Sequence, residues 1–531
     1  MLKAVCVQTP TLPATLAAAD LLGQADKALG IYRPQAGILY TSQPHDVSGM
    51  QALLSTLAAH YPGVQLIACT VTAGFTRGDT RSDGYQHDAW FLCLLVSESL
   101  QFRAGLLPAV AALQAQAGAG DCAADGGNAF RQAFAKEVAA QALPDVGLCL
   151  VYPPYHAVNA VSLVDDIQQV VGDSCLVFGG CSTDYWPAEL ALTPSSSNEY
   201  PIRHMWHGLC QQGQVRVEAD AMPYLLVSGQ FDYALKYTCG WLDSGDHFPI
   251  SVDGTTLTHI DDVDAYPFLL KMGHPLVTSR SFTEYPLWIH EDGKEPYQRD
   301  IFLDRTCGRI HSGFLHLNPA AKVSFSFPDR ETLLDEHRVV MGELHDTYDL
   351  SLVAGCSSRV LALRGDIGLE AQQCGTALPR SPLLGAYMFG EIFPHGRSKP
   401  AVLNSATSAV LAIRVVCPLL AGVDADTVKT RFLQQLLSHK SGRIAELEQQ
   451  LEFFENSKLR QENRFLADCL GVCMSLSGKS ISALSEVLEG LFKQHYQDKP
   501  APYPTSRGKL IARLNPLKKA VAHKFGLKTD N

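Results

Sequence analysis

Through the first half of the chain, short apolar runs alternate with segments whose apolar residues recur every three or four positions, the pattern of strands joined by helices. The runs at 36–40 and 65–69 flank a segment at 48–60 in which Leu53, Leu54, Leu57 and Ala58 make one apolar face, ended by Pro62-Gly63. The same order returns later, with a run at 146–152, a Pro153-Pro154 turn, a helix at 159–171 and a run at 175–180. Tyr40 and Tyr152 stand 112 positions apart, as do Cys69 and Cys181, and each cysteine follows its tyrosine by 29. A strand–helix–strand unit is therefore predicted twice, each closing on a small-residue loop with a thiol and a hydroxyl, Cys69-Thr70 and Gly180-Cys181-Ser182. Two such loops brought to a common seam would make a natural ligand site. Helices at 15–29, 108–117 and 128–142 and a strand at 90–96 complete this half, and the Gly-rich stretch 117–127 reads as loop.

Beyond Trp186 the period shortens. Val215 to Asp220 alternates, further β-prone runs follow at 223–228, 233–240 and 251–257, and short strands are predicted at 286–289, 302–304, 314–317 and 321–327. A helix at 332–343 leads to a final run, 349–359, that again ends in a Gly355-Cys356-Ser357 loop. The predicted class is α/β and α+β, with duplicated βαβ units, a β-rich second half and a helical C-terminal extension. The corresponding divisions are 1–200, 201–420, 421–497 and 498–531.

In the extension, Ile444, Leu447, Leu451 and Phe454 recur at spacings of three and four among Glu and Lys, a stripe of about two heptads before Lys458 and Gln461 interrupt it. Either it pairs two copies into a homodimer or it packs on its own domain. A second helix at 479–496 and the Pro500-to-Pro504 spacer precede a tail, 498–531, with eight Lys/Arg against two Asp/Glu. That tail suits an acidic partner surface, anionic lipid or simple solvation.

Composition narrows the classes. A net charge of −11 disfavours nucleic acid as the main partner, and 46% hydrophobic with 18% charged residues suits globular domains. Without an apolar run of about 18 residues, no membrane span is expected. The N-terminus runs into Thr and Pro too soon for a signal peptide, and fifteen cysteines scattered in apolar runs suit reduced thiols, so a cytoplasmic location is expected.

Three sets of residues together resemble the FIST sensory family. They are the loops Cys69-Thr70 and Gly179 to Asp184; Tyr237 to Trp241 with the segments 248–252 and 260–266; and Gly355 to Arg359 with Gly385 to Ile392 and Leu403-Asn404. Asp262 and Asp264 stand where the family tends to have Gly and Pro. The resemblance spans roughly 30–415 and implies a FIST N-terminal and a FIST C-terminal half. It also implies a sensor of small ligands that signals through a partner protein, such as a histidine kinase or a cyclic-di-GMP enzyme.

The expected ligand-binding residues are Cys69, Thr70, Gly180, Cys181, Ser182, Asp184, Trp241, Cys356, Ser357, Arg359, Tyr387, Glu391 and Asn404. Glu391, on a tight apolar-flanked segment, needs a matching positive group, and Arg359 suits a carboxylate; together they would clamp an amino acid or similar metabolite, or else pair with each other. The cysteines would line the pocket or simply pack at strand ends.

The family also includes haem-based nitric-oxide sensors, which implies an alternative with His204, His207 or Cys239 as the axial ligand. The chain has no covalent haem motif, Gly-x-Ser-x-Gly, Walker loop or His-Glu-x-x-His. Cys469 and Cys473 lack companion ligands, so no metal site is expected and no enzyme is assigned. The remaining catalytic alternative is a Cys181 nucleophile with an unidentified base.

Overall fold

The computed structural model describes residues 2–415 apart from 11–12, 43–46, 78–83, 119–128, 156–157, 184–204, 255, 273–284, 294, 305–308, 313–316, 345–346 and 398. Asp184, His204, the predicted dimerising helix and the basic tail lie outside the described residues. Met1–Pro418 forms one compact unit.

Within it the βα pattern occurs three times. The first unit runs β1 (Leu2–Pro10), α1 (Ala14–Leu29), β2 (Ala36–Thr41), α2 (Val47–His60), β3 (Gln65–Thr70), the hairpin β4 (Ala73–Arg77) and β5 (Gly84–Gln86), and β6 (Ala89–Ser97). The second runs β7 (Gln101–Pro108), α3 (Val110–Gly118), α4 (Ala129–Ala140), β8 (Val146–Val151), α5 (Ala160–Val171), β9 (Leu176–Gly180), the hairpin β10 (His207–Gln211) and β11 (Gln214–Glu218), and β12 (Ala221–Ser228). The third starts with β13 (Phe231–Thr238) and is interrupted by an insertion from β14 (Trp241–Asp243) to β22 (Lys322–Pro328). It resumes through α7 (Arg330–Met341), β23 (Leu350–Cys356), α8 (Ser357–Leu363), α9 (Ile367–Ala377), β24 (Leu383–Met388), the hairpin β25 (Glu391–Pro394) and β26 (Ala401–Asn404), and β27 (Ser408–Val415).

Each unit builds a parallel pair, β2–β3, β8–β9 or β23–β24, flanked by its own antiparallel strand. Its hairpin, however, joins the next sheet in a cycle. The strand orders are β1-β6-β2-β3-β10-β11, β7-β12-β8-β9-β25-β26 and β13-β27-β23-β24-β4-β5. Each unit thereby completes the sheet of a neighbour, and the exchange closes on itself. Strands from both sides of the division expected at residue 200 share these sheets, since β10 pairs with β3 and β12 with β7.

The three sheets share one inner core, to which Ile38, Phe91, Leu150, Leu225, Leu352 and Leu411 all contribute. Helices cover the outer faces: Leu21 and Leu54 of α1 and α2 pack on the first sheet, Phe130 and Ile167 of α4 and α5 on the second, and Leu333 and Cys374 of α7 and α9 on the third. Because both faces are covered, these strands read as continuous apolar runs rather than as alternation. Local chemistry sets the ends of the helices. Asn159 accepts the backbone N–H of Ser162 at the start of α5, and Asp329 accepts that of Thr332 at the start of α7. The insertion has a small core of its own around Leu257, Ile260, Ile289 and Val323. The mixed α/β and α+β class is the observed one.

Candidate functional site

The predicted thiol–hydroxyl loops meet, but inside the ring and away from any open seam. Thr70, Ser182 and Ser357 are all buried. The backbone N–H of Thr70 donates to Trp206 O (3.2 Å) and that of Ser182 to Pro153 O (2.8 Å), so neither is free to line a pocket. The reason is the threefold exchange, which packs the strand ends of all three units against one another. At their meeting point Thr72 Oγ1 lies 3.2 Å from Thr183 Oγ1 and 2.6 Å from Ser357 Oγ, one hydroxyl from each unit. The Tyr40 hydroxyl donates to that of Tyr152 (2.6 Å), while Gly355 takes the corresponding place in the third unit, opposite Tyr387 as Tyr40 is opposite Cys69, and the Tyr387 ring packs where a Cβ would stand. Cys69 and Cys181 are not structural equivalents, because His207 pairs with Cys69 whereas Glu391, which opens the corresponding strand, pairs with Gly180. Burial pushes both thiols well up. That is the opposite of what a cysteine nucleophile requires.

Gly180 and Gly390 allow the close approach that positions Glu391. A Cβ on Gly180 would stand 2.7 Å from Met388 Sδ, and Gly390 takes a φ of 94° in the turn before β25. Glu391 then lies between Gly180 and Asn404 in the sheet. The Asn404 side chain is itself engaged, accepting from His395 Nε2 (2.6 Å) and donating to Val402 O (3.1 Å).

Arg359 and Glu391 do not pair. The Nε of Arg359 donates to Glu370 Oε2 (2.7 Å), Nη2 lies 2.6 Å from the same oxygen, and Nη1 donates to Cys239 O (2.6 Å). Longer contacts to Ala406 O and Leu333 O, both 3.5 Å, complete its five donors, and Trp241 lies 5.5 Å from its guanidinium. Glu370 also accepts from the Tyr387 hydroxyl (3.3 Å). Burial opposes ionisation of Glu370, yet the charges of Arg359 and His337 and these hydrogen bonds hold its carboxyl below the usual range.

Glu391 is as deeply buried but only half partnered. Its Oε2 accepts from Thr407 Oγ1 (2.6 Å) and Thr407 N (3.2 Å), while Oε1 is buried without a hydrogen-bond partner among the described residues. Burial lifts this carboxyl well above the usual range, with a further push from Asp300, against the Thr407 bonds and the neighbouring Cys356 thiol. Asp300 is raised to about 7 by burial, against the pull of Arg299. Among the described residues Asp300 Oδ1 and Gln298 Nε2 are also buried without hydrogen-bond partners, and Ser358 Oγ has only the Cys356 thiol beside it. The Cys356 thiol is the common neighbour, influenced by Glu391, Asp300 and Ser358 together, and Cys239 Sγ donates to Gln298 Oε1 (2.8 Å). This nest joins residues 239, 298–300, 356–358 and 391. Gln298 and Asp300 carried no signal in the sequence, since the insertion segment that bears them, the strand Tyr297–Arg299 and the residue after it, shows no pattern that points inward.

Of the haem candidates, His207 and Cys239 are the two among the described residues, and both are engaged. His207 Nε2 lies 2.5 Å from Ser182 Oγ and Nδ1 lies 3.0 Å from Ala219 O, while burial lowers its pKa to about 4 despite those backbone bonds. The Cys239 thiol is pushed up to about 12 by burial. A haem axial ligand does not fit either residue as arranged.

Residues 35–262 match the FIST N domain. A FIST C-terminal half, expected over 201–420, is not matched, and the N-domain match itself runs to residue 262. No curated protein matches the chain. Among solved structures the chain is similar to a cyanuric acid hydrolase from A. caulinodans, at 11% identity and a TM-score of 0.29, over 78% of this chain and 100% of that one. No helix among the described residues is long and apolar enough to cross a membrane.

Proposed function

We propose that this protein senses a small polar ligand at the nest around Glu391 and passes the signal to a partner protein, without catalysing a reaction of its own. The observation that carries the reading is the set of buried atoms on Glu391, Asp300 and Gln298 that lack a hydrogen-bond partner among the described residues. Leaving such groups unpaired costs free energy that a ligand would recover. The match of residues 35–262 to a sensory-family domain supports the same reading. The carboxyls of Glu391 and Asp300, ionised once a cation reaches them, and the amide of Gln298 suit a ligand with an amino group and a second polar end, such as an amino acid. The ammonium would meet Glu391 and Asp300, and the other end would meet Gln298 and Ser358.

The test is a thermal-shift and calorimetric screen of amino acids and small amines against the full chain. A true ligand should stabilise the protein by about 2.7 kcal/mol at a hundredfold excess over Kd. Affinity should rise with pH through about 7, because Asp300 must lose its proton to receive an ammonium. Glu391→Gln should abolish the stabilisation. A screen without any shift, or a shift unchanged in the variant, would remove the reading.

A further inference from the structure

The cysteine spacing offers no metal site, yet three other potential ligands converge in the insertion. Asp243 ends β14, His247 lies four residues on, and His290 ends the strand Leu287–His290. All three segments are held by β22: Asp243 pairs with Ser326, Phe248 with Val323 and His290 with Lys322. The two imidazole rings stack with centroids 3.9 Å apart. Both Nε2 atoms approach the same carboxylate oxygen, Asp243 Oδ2, at 4.0 Å from His247 and 3.5 Å from His290. One ligand atom from each residue lies within 4.8 Å of the others.

The carboxylate is oriented by its own loop. The backbone N–H of Gly245 donates to Asp243 Oδ1 (2.8 Å), which leaves Oδ2 facing the histidines. Ser244 fixes that loop to β22 through both its groups, N–H to Phe325 O (2.9 Å) and Oγ from Phe325 N (3.1 Å). Ser324 Oγ lies 2.8 Å from His290 Nε2, the same nitrogen that approaches the carboxylate. The Gly245 bond, made to the carboxylate oxygen turned away from the histidines, is of the kind that orients a metal ligand, whereas Ser324 sits on Nε2 itself and would yield that nitrogen to an ion.

From this geometry we infer that Asp243, His247 and His290 bind a borderline divalent transition metal of the zinc class. Two imidazoles and one carboxylate suit such an ion, whereas magnesium and calcium prefer oxygen ligands throughout. Three protein ligands leave at least one position open to water or an exogenous group. The site is separate from the Glu391 nest, and the inference does not rest on the sensing role.

The test uses the full chain, stripped with chelator and kept reduced, and titrated with zinc against a competing indicator and with cobalt for its visible spectrum. One site is expected, with a cobalt spectrum free of thiolate charge transfer, and with magnesium unable to compete. His247→Ala, His290→Ala and Asp243→Asn should each weaken zinc by at least about a hundredfold, the upper end of what losing an orienting partner alone costs. Ser324→Ala should leave zinc binding intact, although it removes the hydrogen bond to His290. Circular dichroism checks that each variant is folded. Unchanged zinc affinity in folded His247→Ala and Asp243→Asn, thiolate bands with cobalt, or equal binding of magnesium would each overturn the inference.

Discussion

Glu370 and Glu391 are two carboxylates of the third unit, 1% and 0% exposed, with opposite protonation chemistry. Glu370 faces a guanidinium that satisfies it and is held in its ionised form; Glu391 has one oxygen without a hydrogen-bond partner among the described residues and is pushed towards its neutral form. Depth is the same, so depth does not explain the difference. The partners do. A buried charge with a complete set of partners belongs to the architecture, whereas a buried carboxyl with an unmet oxygen is stable only at a cost, which a ligand could offset. The Arg359–Glu370 pair therefore braces the third unit, and the Glu391 nest is the part open to chemistry.

Substitution should separate the two most sharply at Arg359. Arg359→Met strands the Glu370 charge and should cost ~3–5 kcal/mol in urea unfolding, whereas Glu391→Gln should cost under about 1 kcal/mol. Equal losses would make both carboxylates structural and erase the contrast.

A smaller effect comes from Asp300, whose folded pKa is raised to about 7. Below the ordinary carboxylate range it is protonated in both the folded and unfolded states and costs nothing. As pH rises from there to about 7 the unfolded chain releases its proton first, so the fold loses stability, and the full penalty persists above. Asp300→Asn should therefore raise stability at pH 8 by roughly 2–3 kcal/mol more than it does at pH 5. A gain independent of pH would mean that Asp300 is already partnered.

Smallest is the hydroxyl pair on the ring axis. Tyr40→Phe leaves the Tyr152 hydroxyl without its partner and should cost ~1 kcal/mol, with ligand response retained. A lost ligand response in this variant would move the binding site from the nest to the axis.

The candidate residues were legible unevenly. Glu391 stood out because a charge between Gly390 and Ile392 in an apolar setting demands a partner, and Cys356 because its loop repeats the earlier ones. Arg359 was legible as a cation suited to a carboxylate, that of a ligand or of Glu391, but its actual partner Glu370 lies eleven residues on, across the turn between α8 and α9, where nothing in the pattern marked it. Asp300 and Gln298 reach the nest only through the packing of the insertion on the third unit.

Periodicity by itself determined the βαβ units, the covered sheets and the mixed class, because strand and helix periods are local properties of the chain and a doubly buried strand must be apolar throughout. The 112-residue echo of Tyr40 in Tyr152 was likewise in the sequence, and those two hydroxyls do touch. The third unit was hidden because the insertion separates β13 from β23. The cyclic exchange of hairpins, the one-residue offset between Cys69 and Cys181 and the choice of Glu370 over Glu391 as the partner of Arg359 were decided by tertiary structure alone. Each depends on which strand edges and side chains meet across distant parts of the chain, and local hydrophobic pattern carries no information about that meeting.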